Sequence, residues 1–475
     1  MEAPIVRRGQ ERPRYTCVLL LSIEKLIYGG DGLARTPAGA DGRSMAVFVP
    51  FVLPGERVEA RIRQEKPGFA RASVMQLVEA SPERVEPGCP YFQQCGGCHY
   101  QHISAERQRE FKAEILRETL QRIAKIELTS AIRHHGSPLW NYRNRTRLQV
   151  QSAPEFPPPT GKTGFCRDPG FALGYFRFGS HAFLPVRECP ISSPLINRMM
   201  ARLLEARGWN CPAIEELELF ADAADERLLV WAFCGRDADP RDLLRWAEAL
   251  ARELPEISGV TFFSSRRRSA ERSLEDETPI DPKPLAQAGA KSIHYRTKEH
   301  EYRVSAGAFF QVNRYLVDEL VSVVTGNARG EVALDLYAGG GLFSAVLAAS
   351  FQQVFAVEAS QTSHADLVHN VPANVKAVGG RTGDFLGSDS LRSHRVRKRP
   401  DFIVMDPPRT GAGKAVMHSL AELGAPVIRY VSCDPATLAR DLVPLLAAGY
   451  RIEESHLFDF FPETFHIESV TLLAR

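Results

Sequence analysis

Residues 331–350 read "EVALDLYAGGGLFSAVLAAS". An apolar, β-branched run ends near Tyr337, the glycines Gly339 to Gly341 follow, and apolar residues then recur at helical spacing from Leu342. Strand, glycine turn and helix in that order is the opening of a βαβ unit. The pattern returns at "QVFAVEAS" (353–360), "DFIVMDPPRTGAGKAVMHSL" (401–420) and "VIRYVSCDPATLARDLVPLL" (427–446). This alternation, from about residue 315 onward, predicts a parallel, doubly wound sheet. Such a sheet presents its ligands at the carboxyl ends of the strands.

Those strand ends carry polar residues. The glycines let a ligand approach the backbone, and Glu358 can take two ribose hydroxyls. NAD and S-adenosylmethionine both use this plan. The spacing is not G-x-G-x-x-G, because Leu342, Phe343 and Ser344 follow the glycines, which counts against a dinucleotide. The third strand ends in Asp406-Pro407-Pro408-Arg409, which could be no more than a turn. The fourth ends in Ser432-Cys433-Asp434-Pro435, with a thiol at the strand tip rather than inside the apolar run. His466 and Glu468 stand just before a final strand.

Upstream the organisation changes. Residues 1–13 form a polar tail. Residues 14–80 alternate Val, Ile and Phe with Gly-Gly-Asp-Gly, Asp-Gly and Pro-Gly turns, which fits a small β-barrel of the oligonucleotide-binding kind or a plainer β-module. A cysteine-rich connector and a helical stretch at 105–128 lead into a mixed α/β region at 137–300, with loops at 152–164 and around Arg266 to Arg268. The first 150 residues hold 23 Lys and Arg against 16 Asp and Glu, and the remainder 36 against 41. A basic front suits a polyanion, although a solvated basic surface explains it equally. Arginines alternate with aromatics at Tyr142, Arg143, Arg145, Arg147, Tyr175 and Arg177, as single-stranded RNA would require or as a half-exposed strand face would show. No run of eighteen apolar residues suggests a membrane span. The start lacks a secretory signal, so a cytoplasmic, monomeric protein with reduced or metal-bound cysteines is expected. Cys17, Cys166, Cys211 and Cys234 stand outside any motif. Cys89, Cys95 and Cys98 are spaced C-x5-C-x2-C, and the spacing alone suits zinc (with His99 or His102) as well as iron–sulfur.

Taken together, the sequence resembles the RNA uracil-5-methyltransferases that use S-adenosylmethionine, most of all the 23S ribosomal RNA type with a TRAM domain and an iron–sulfur cluster. The likeness rests on Ser432-Cys433-Asp434-Pro435, on Phe309-Phe310-Gln311-Val312-Asn313 and on His466-Ile467-Glu468-Ser469, and it covers nearly the whole chain. The resemblance implies an α/β fold: a Rossmann-like methyltransferase domain (301–475), a central α/β domain (81–300) and an N-terminal TRAM-like barrel (14–80).

It also implies roles. Cys433 would add to C6 of uracil and Glu468 would remove the C5 proton. Gln311, Tyr337, Gly339, Glu358, Asp384 and Asp406 would face the methyl donor, Phe309 would pack on the target base, and Arg409, from its position, would steady charge on the uracil oxygen. Cys89, Cys95, Cys98 and Cys189 would hold a [4Fe–4S] cluster that organises the RNA-binding surface. Relatives often carry Asn where this chain has Leu342 and Asp434. The first change removes a polar contact to the donor or moves it elsewhere. The second requires Asp434 to point away from Cys433 or be neutralised. The expected substrate is ribosomal RNA. A transfer RNA uridine-54 enzyme and a metal-stabilised RNA-binding protein with an inactive methyltransferase domain are the alternatives.

Overall fold

Period-two alternation in the first strands sends one set of side chains inward. The strands β1 (Val18–Leu26), β2 (Asp31–Arg35), β3 (Ala46–Pro50), β4 (Arg57–Lys66) and β5 (Phe69–Glu79) close into a barrel in the order β1-β2-β3-β5-β4. Leu21, Ile23, Val47, Val49, Val58 and Ala70 fill it, each fully or almost fully buried. Gly29 and Gly30, at φ of +108° and +91°, make the turn between β1 and β2. Closure leaves the barrel without an open sheet edge.

The computed structural model describes residues 18–37, 44–151, 172–205, 214–235, 237–265, 283–387, 391 and 399–475. The polar tail, Cys17, Cys166, Cys211, the loop at 152–164 and Arg266 to Arg268 lie outside the described residues. The chain divides into two compact units. Met1–Pro87, Cys98–Phe111 and Glu463–Phe465 form the first, and Gly88–Gly97, Lys112–Pro462 and His466–Arg475 the second. Helix α1 (Ala105–Ala124) occupies the stretch where helical spacing was expected.

The second unit contains two large sheets. The strands β7 (Arg145–Gln151), β8 (Ala172–Phe176), β9 (Phe183–Pro185), β10 (Ile214–Ala221), β11 (Leu228–Cys234), β12 (Ile257–Ser264) and β13 (Pro284–Gly289) are ordered β13-β12-β11-β10-β7-β8-β9. Helices α2 (Pro194–Glu205) and α3 (Pro240–Glu253) bury Leu195, Met199, Leu243 and Leu250 in the core of this sheet. A hairpin, β14 (Ser292–Arg296) with β15 (Glu301–Ser305), comes next.

The last sheet is the doubly wound one. Its strands are β6 (Ile132–His135), β16 (Gly330–Leu336), β17 (Phe351–Glu358), β18 (Val375–Gly379), β19 (Phe402–Met405), β20 (Val427–Ser432), β21 (Arg451–Phe458) and β22 (Glu468–Ala474), ordered β18-β17-β16-β19-β20-β22-β21-β6. Strands β16 to β20 run parallel, and β22 pairs antiparallel with both β20 and β21. The connecting helices are α4 (Val317–Thr325), α5 (Leu342–Leu347), α6 (Gln361–Asn370), α7 (Thr382–Phe385), α8 (Lys414–Leu423) and α9 (Pro435–Ala447). The strand order reverses between β16 and β19, which opens a crevice at their carboxyl ends. Leu342 lies in the core with Phe343 and Leu347, and its carbonyl accepts the Tyr302 hydroxyl at 3.0 Å, so its side chain is core rather than ligand surface. Among the described residues no helix is long and apolar enough to cross a membrane.

Candidate active site

Strand register assembles the site. Leu336 pairs with Val357 on one side and Met405 on the other, so the next residues, Tyr337, Glu358 and Asp406, form a row at the carboxyl ends of β16, β17 and β19. Tyr337 bends the chain there with φ of 63°, an uncommon value for a residue with a side chain. Ala338 to Gly341 then turn into α5, with Gly339 at φ +55° and Gly341 at φ +91°. Glu358 fastens this turn. One carboxylate oxygen accepts the Gly339 N–H at 2.8 Å and the other the Ser360 N–H at 2.7 Å.

The same logic places the thiol. The antiparallel pairing of β20 with β22 runs from Val427 opposite Ala474 to Ser432 opposite Ser469. Cys433 follows directly beyond the end of β20 and Glu468 is the first residue of β22, and the charge of Glu468 bears on the Cys433 thiol. Cys433 is half-buried and Glu468 is 8% exposed. Asp434 turns into the cap of α9, where one oxygen accepts the N–H groups of Ala436 and Thr437, both at 2.9 Å. Ser432 Oγ donates to the Asp434 carbonyl at 3.0 Å and fixes the turn.

The electrostatics are those of a crowded acidic edge. Burial pushes the Cys433 thiol up to about 12, and the charges of Glu468, Asp406 and Asp434 add to it, while Arg409 opposes. Burial and the charge of Asp406 hold the Glu468 carboxyl well above its ordinary range, again against Arg409. Asp406 is pushed up to about 7 by burial and then by Asp335. Asp335, fully buried on β16, is also pushed up to about 7 by burial, with the Ser344 hydroxyl at 2.5 Å acting against the shift. Asp335 was not singled out in the sequence, although an acid inside the apolar run "VALDLY" was a visible signal.

The remaining expected residues occupy different settings. Phe309 is 60% exposed, whereas its neighbour Phe310 is buried against Tyr295 and Tyr302. Gln311 is half-buried. Asn313 anchors this segment, donating to Ser137 Oγ at 2.8 Å and the Phe460 carbonyl at 3.1 Å. Asp384 is exposed in α7, beyond the end of β18, and Arg409 is exposed in the loop after β19.

The arginine-rich strand is largely structural. Arg145 pairs with Glu218 at 2.5 Å and stacks over Trp231 at 4.0 Å, and Arg147 pairs with Glu216 at 2.5 Å and stacks over Phe233 at 4.0 Å. Tyr142 is buried, with its hydroxyl on the Pro462 carbonyl.

Three of the four motif cysteines, Cys89, Cys95 and Cys189, lie in the second unit, and Cys98 lies in the first. Burial pushes the Cys95 thiol up to about 11, and nearby Cys189 and Cys89 raise it further, against the Gly97 N–H. Among the described residues no group of three or more His, Cys, Asp or Glu side chains is arranged to hold a metal ion.

Known proteins with this architecture set the class first. The crystal structure of the Pyrococcus abyssi tRNA (uracil-54, C5)-methyltransferase in complex with S-adenosyl-L-homocysteine shares the fold with a TM-score of 0.66 at 24% identity, covering 96% of this chain and 100% of that one. That likeness shows the fold that the two chains share. The family follows from sequence. A model described as tRNA (Uracil-5-)-methyltransferase matches residues 287–379 and 390–475, and a TRAM domain model matches 18–75. The chain is 33% identical over 470 residues to the 23S rRNA (uracil(1939)-C(5))-methyltransferase RlmD of Halomonas elongata, covering 95% of this chain and 89% of that protein. It is 32% identical to the enzyme of the same name from Chromohalobacter salexigens, covering 96% and 89%. The chain belongs to the RNA uracil-5-methyltransferase family and is an RNA uracil-C5 methylating enzyme.

Proposed function

We propose that the protein transfers the methyl group of S-adenosylmethionine to C5 of a uridine in 23S ribosomal RNA, with Cys433 as nucleophile and Glu468 as base. The observation that supports this reading is that Cys433 directly follows the strand paired with β22, whose first residue is Glu468, and that Glu468 and Asp406 act on its thiol beside the row of Tyr337, Glu358 and Asp406. C5 of uracil is a weak nucleophile. Addition of the Cys433 thiolate to C6 makes the ring an enolate, and Arg409 would steady the charge on its oxygen. C5 then attacks the sulfonium methyl carbon, and the methyl–sulfur bond breaks with its electrons on sulfur, releasing S-adenosylhomocysteine. The Glu468 carboxylate takes the C5 proton, the C6–sulfur bond breaks, and the thiolate is regenerated. A carboxyl held well above its ordinary range is, once ionised, the stronger base for that step.

The acidic edge also favours this donor over a dinucleotide. Asp335, Asp406 and Glu358 crowd negative charge where a cationic sulfonium would relieve it and a pyrophosphate would not. Tyr337, Gly339, Glu358 and Asp406 would line the donor, with Gln311 and Asp384 closing over it. Exposed Phe309 is available to a base that has left its stack. Cys89, Cys95, Cys98 and Cys189 would hold the [4Fe–4S] cluster. Support for this comes from the C-x5-C-x2-C spacing with Cys189 and from the resemblance, and its part would be to organise the protein around the RNA.

The test is methylation of 23S and transfer RNA transcripts with labelled donor, followed by mapping of 5-methyluridine. Label in 23S RNA with tritium release from 5-tritiated uridine supports the reading. Label confined to transfer RNA would move the substrate to that class, and absence of tritium release would remove C5 as the target.

A further inference from the structure

Asp441, a buried carboxylate on α9, is 1% exposed. Its Oδ2 accepts the Ala412 N–H at 2.6 Å and the Tyr430 hydroxyl at 2.8 Å, and its Oδ1 accepts Arg440 Nε at 3.0 Å. Arg440 donates to the Thr410 carbonyl at 2.7 Å. Between them Gly411 sits at φ +80°, and a Cβ there would meet the Arg440 guanidinium and the Asp441 carboxylate. Three segments converge on this carboxylate. The loop after β19 carries Arg409, Tyr430 lies on the strand that ends at Cys433, and α9 is the helix capped by Asp434.

A buried carboxylate is costly unless its oxygens are satisfied, and here every partner belongs to a segment that bears on the reacting atoms. We propose that Asp441 is a positioning residue for methyl transfer, holding the Arg409 loop in register with the strand and helix that present Cys433. The proposal rests on the reading of Cys433 as nucleophile and Arg409 as the group that steadies the uracil oxygen. Asp441 is 1% exposed and its carboxylate is taken up by Ala412, Tyr430 and Arg440. The coupling claimed for it is to Arg409, whose loop it ties to the Cys433 strand through Ala412 and Tyr430.

A general structural role and a positioning role differ in a double-mutant cycle. The full chain is assayed on an RNA transcript with Asp441→Ala, Arg409→Ala and the pair. Asp441→Ala should lower kcat by on the order of 100-fold, the size of effect that a displacement of about 1 Å produces. KM for S-adenosylmethionine should stay within about twofold. In the Arg409→Ala background Asp441→Ala should cost little more.

If Asp441→Ala does not fold, Asp441→Asn and Tyr430→Phe serve in the same cycle. Asparagine keeps an oxygen for Ala412 but turns an amide toward Arg440, and Tyr430→Phe removes one donor, so both should give smaller losses that again vanish without Arg409. Losses that multiply in the double variants, or an unchanged kcat, would overturn the proposal. Wild-type protein and RNA containing 5-fluorouridine form the control. No covalent adduct there would overturn the nucleophile reading and the clamp with it, whereas an adduct together with multiplicative losses would overturn the clamp alone.

Discussion

The reactivity of Cys433 toward a small aromatic disulfide, followed against pH in protein without RNA, reads the electrostatics of the site directly. Its thiol is pushed from 9.0 up to about 12 by burial and by Glu468, Asp406 and Asp434. A difference of about three units leaves roughly 1000-fold less thiolate at pH 8 than an ordinary cysteine has. A thiolate of higher pKa is intrinsically more reactive, by about 16- to 32-fold over that interval, so the net expectation is a rate roughly 30- to 60-fold below that of an ordinary thiol. The shape of the profile is more telling than its height. The thiolate is the reactive form, so the rate should keep rising about tenfold per unit beyond pH 9, where an unperturbed thiol levels off. Glu468→Gln removes the charge that adds most after burial and should raise the rate at pH 8. Peptide mass spectrometry would follow Cys433 among the nine cysteines. A plateau below pH 9 would show a thiolate already formed in the absence of RNA. That result would refute the inference that burial and the acidic edge raise the Cys433 thiol.

Phe309→Ala should reduce methylation of folded RNA by about tenfold or more, in line with a lost base stack of 1–3 kcal/mol, while donor binding by calorimetry stays unchanged; equal loss of both would assign Phe309 to the donor pocket. Protein purified without oxygen should carry iron and sulfide, and Cys189→Ala should lose both and bind RNA more weakly; colourless, active protein with stoichiometric zinc would contradict this. Asp335 titrates about 7 in the folded protein and 3.8 unfolded, so between those values the native state holds a proton that the unfolded chain has released, and stability declines as pH rises through the window. Asp335→Asn should therefore gain roughly 3 kcal/mol on the wild type between about pH 5 and pH 8 in urea titrations, and a pH-independent difference would contradict the shift.

Features set by local sequence could be read in advance. The glycine turn after Tyr337, the proline after Asp434 and the apolar runs of β16, β17, β19 and β20 are each defined within ten residues. What depends on register could not. Cys433 and Glu468 belong to separate segments, and only the antiparallel insertion of β22 beside β20 brings the end of one to the start of the other. The resemblance marked both residues but carried no geometry.

Arg145 and Arg147 stood open to two readings, an RNA-facing set or a half-exposed strand face. Their spacing with aromatics suited RNA, yet Glu218 and Glu216 on the neighbouring strand β10 claim them, and Trp231 and Phe233 stack beneath them. Leu342 turned inward because α5 needs an apolar face against the sheet. Asp434, expected to point away from Cys433 or be neutralised, directs its carboxylate to the helix N–H groups, although its charge still reaches the thiol. Asp441 gave no local signal, because its partners come from three segments.

The most direct test of the central claim is denaturing electrophoresis of Glu468→Gln after incubation with uridine-containing RNA and methyl-labelled S-adenosylmethionine. Glutamine cannot take the C5 proton, so the thiolate cannot leave. The account predicts an RNA–protein adduct that carries the labelled methyl group, survives denaturation, and is absent from Cys433→Ala. Turnover by Glu468→Gln at close to the wild-type rate would assign the base elsewhere, with His466 the next residue to examine. An adduct that persists in Cys433→Ala would place the nucleophile on another cysteine and contradict the account at its centre.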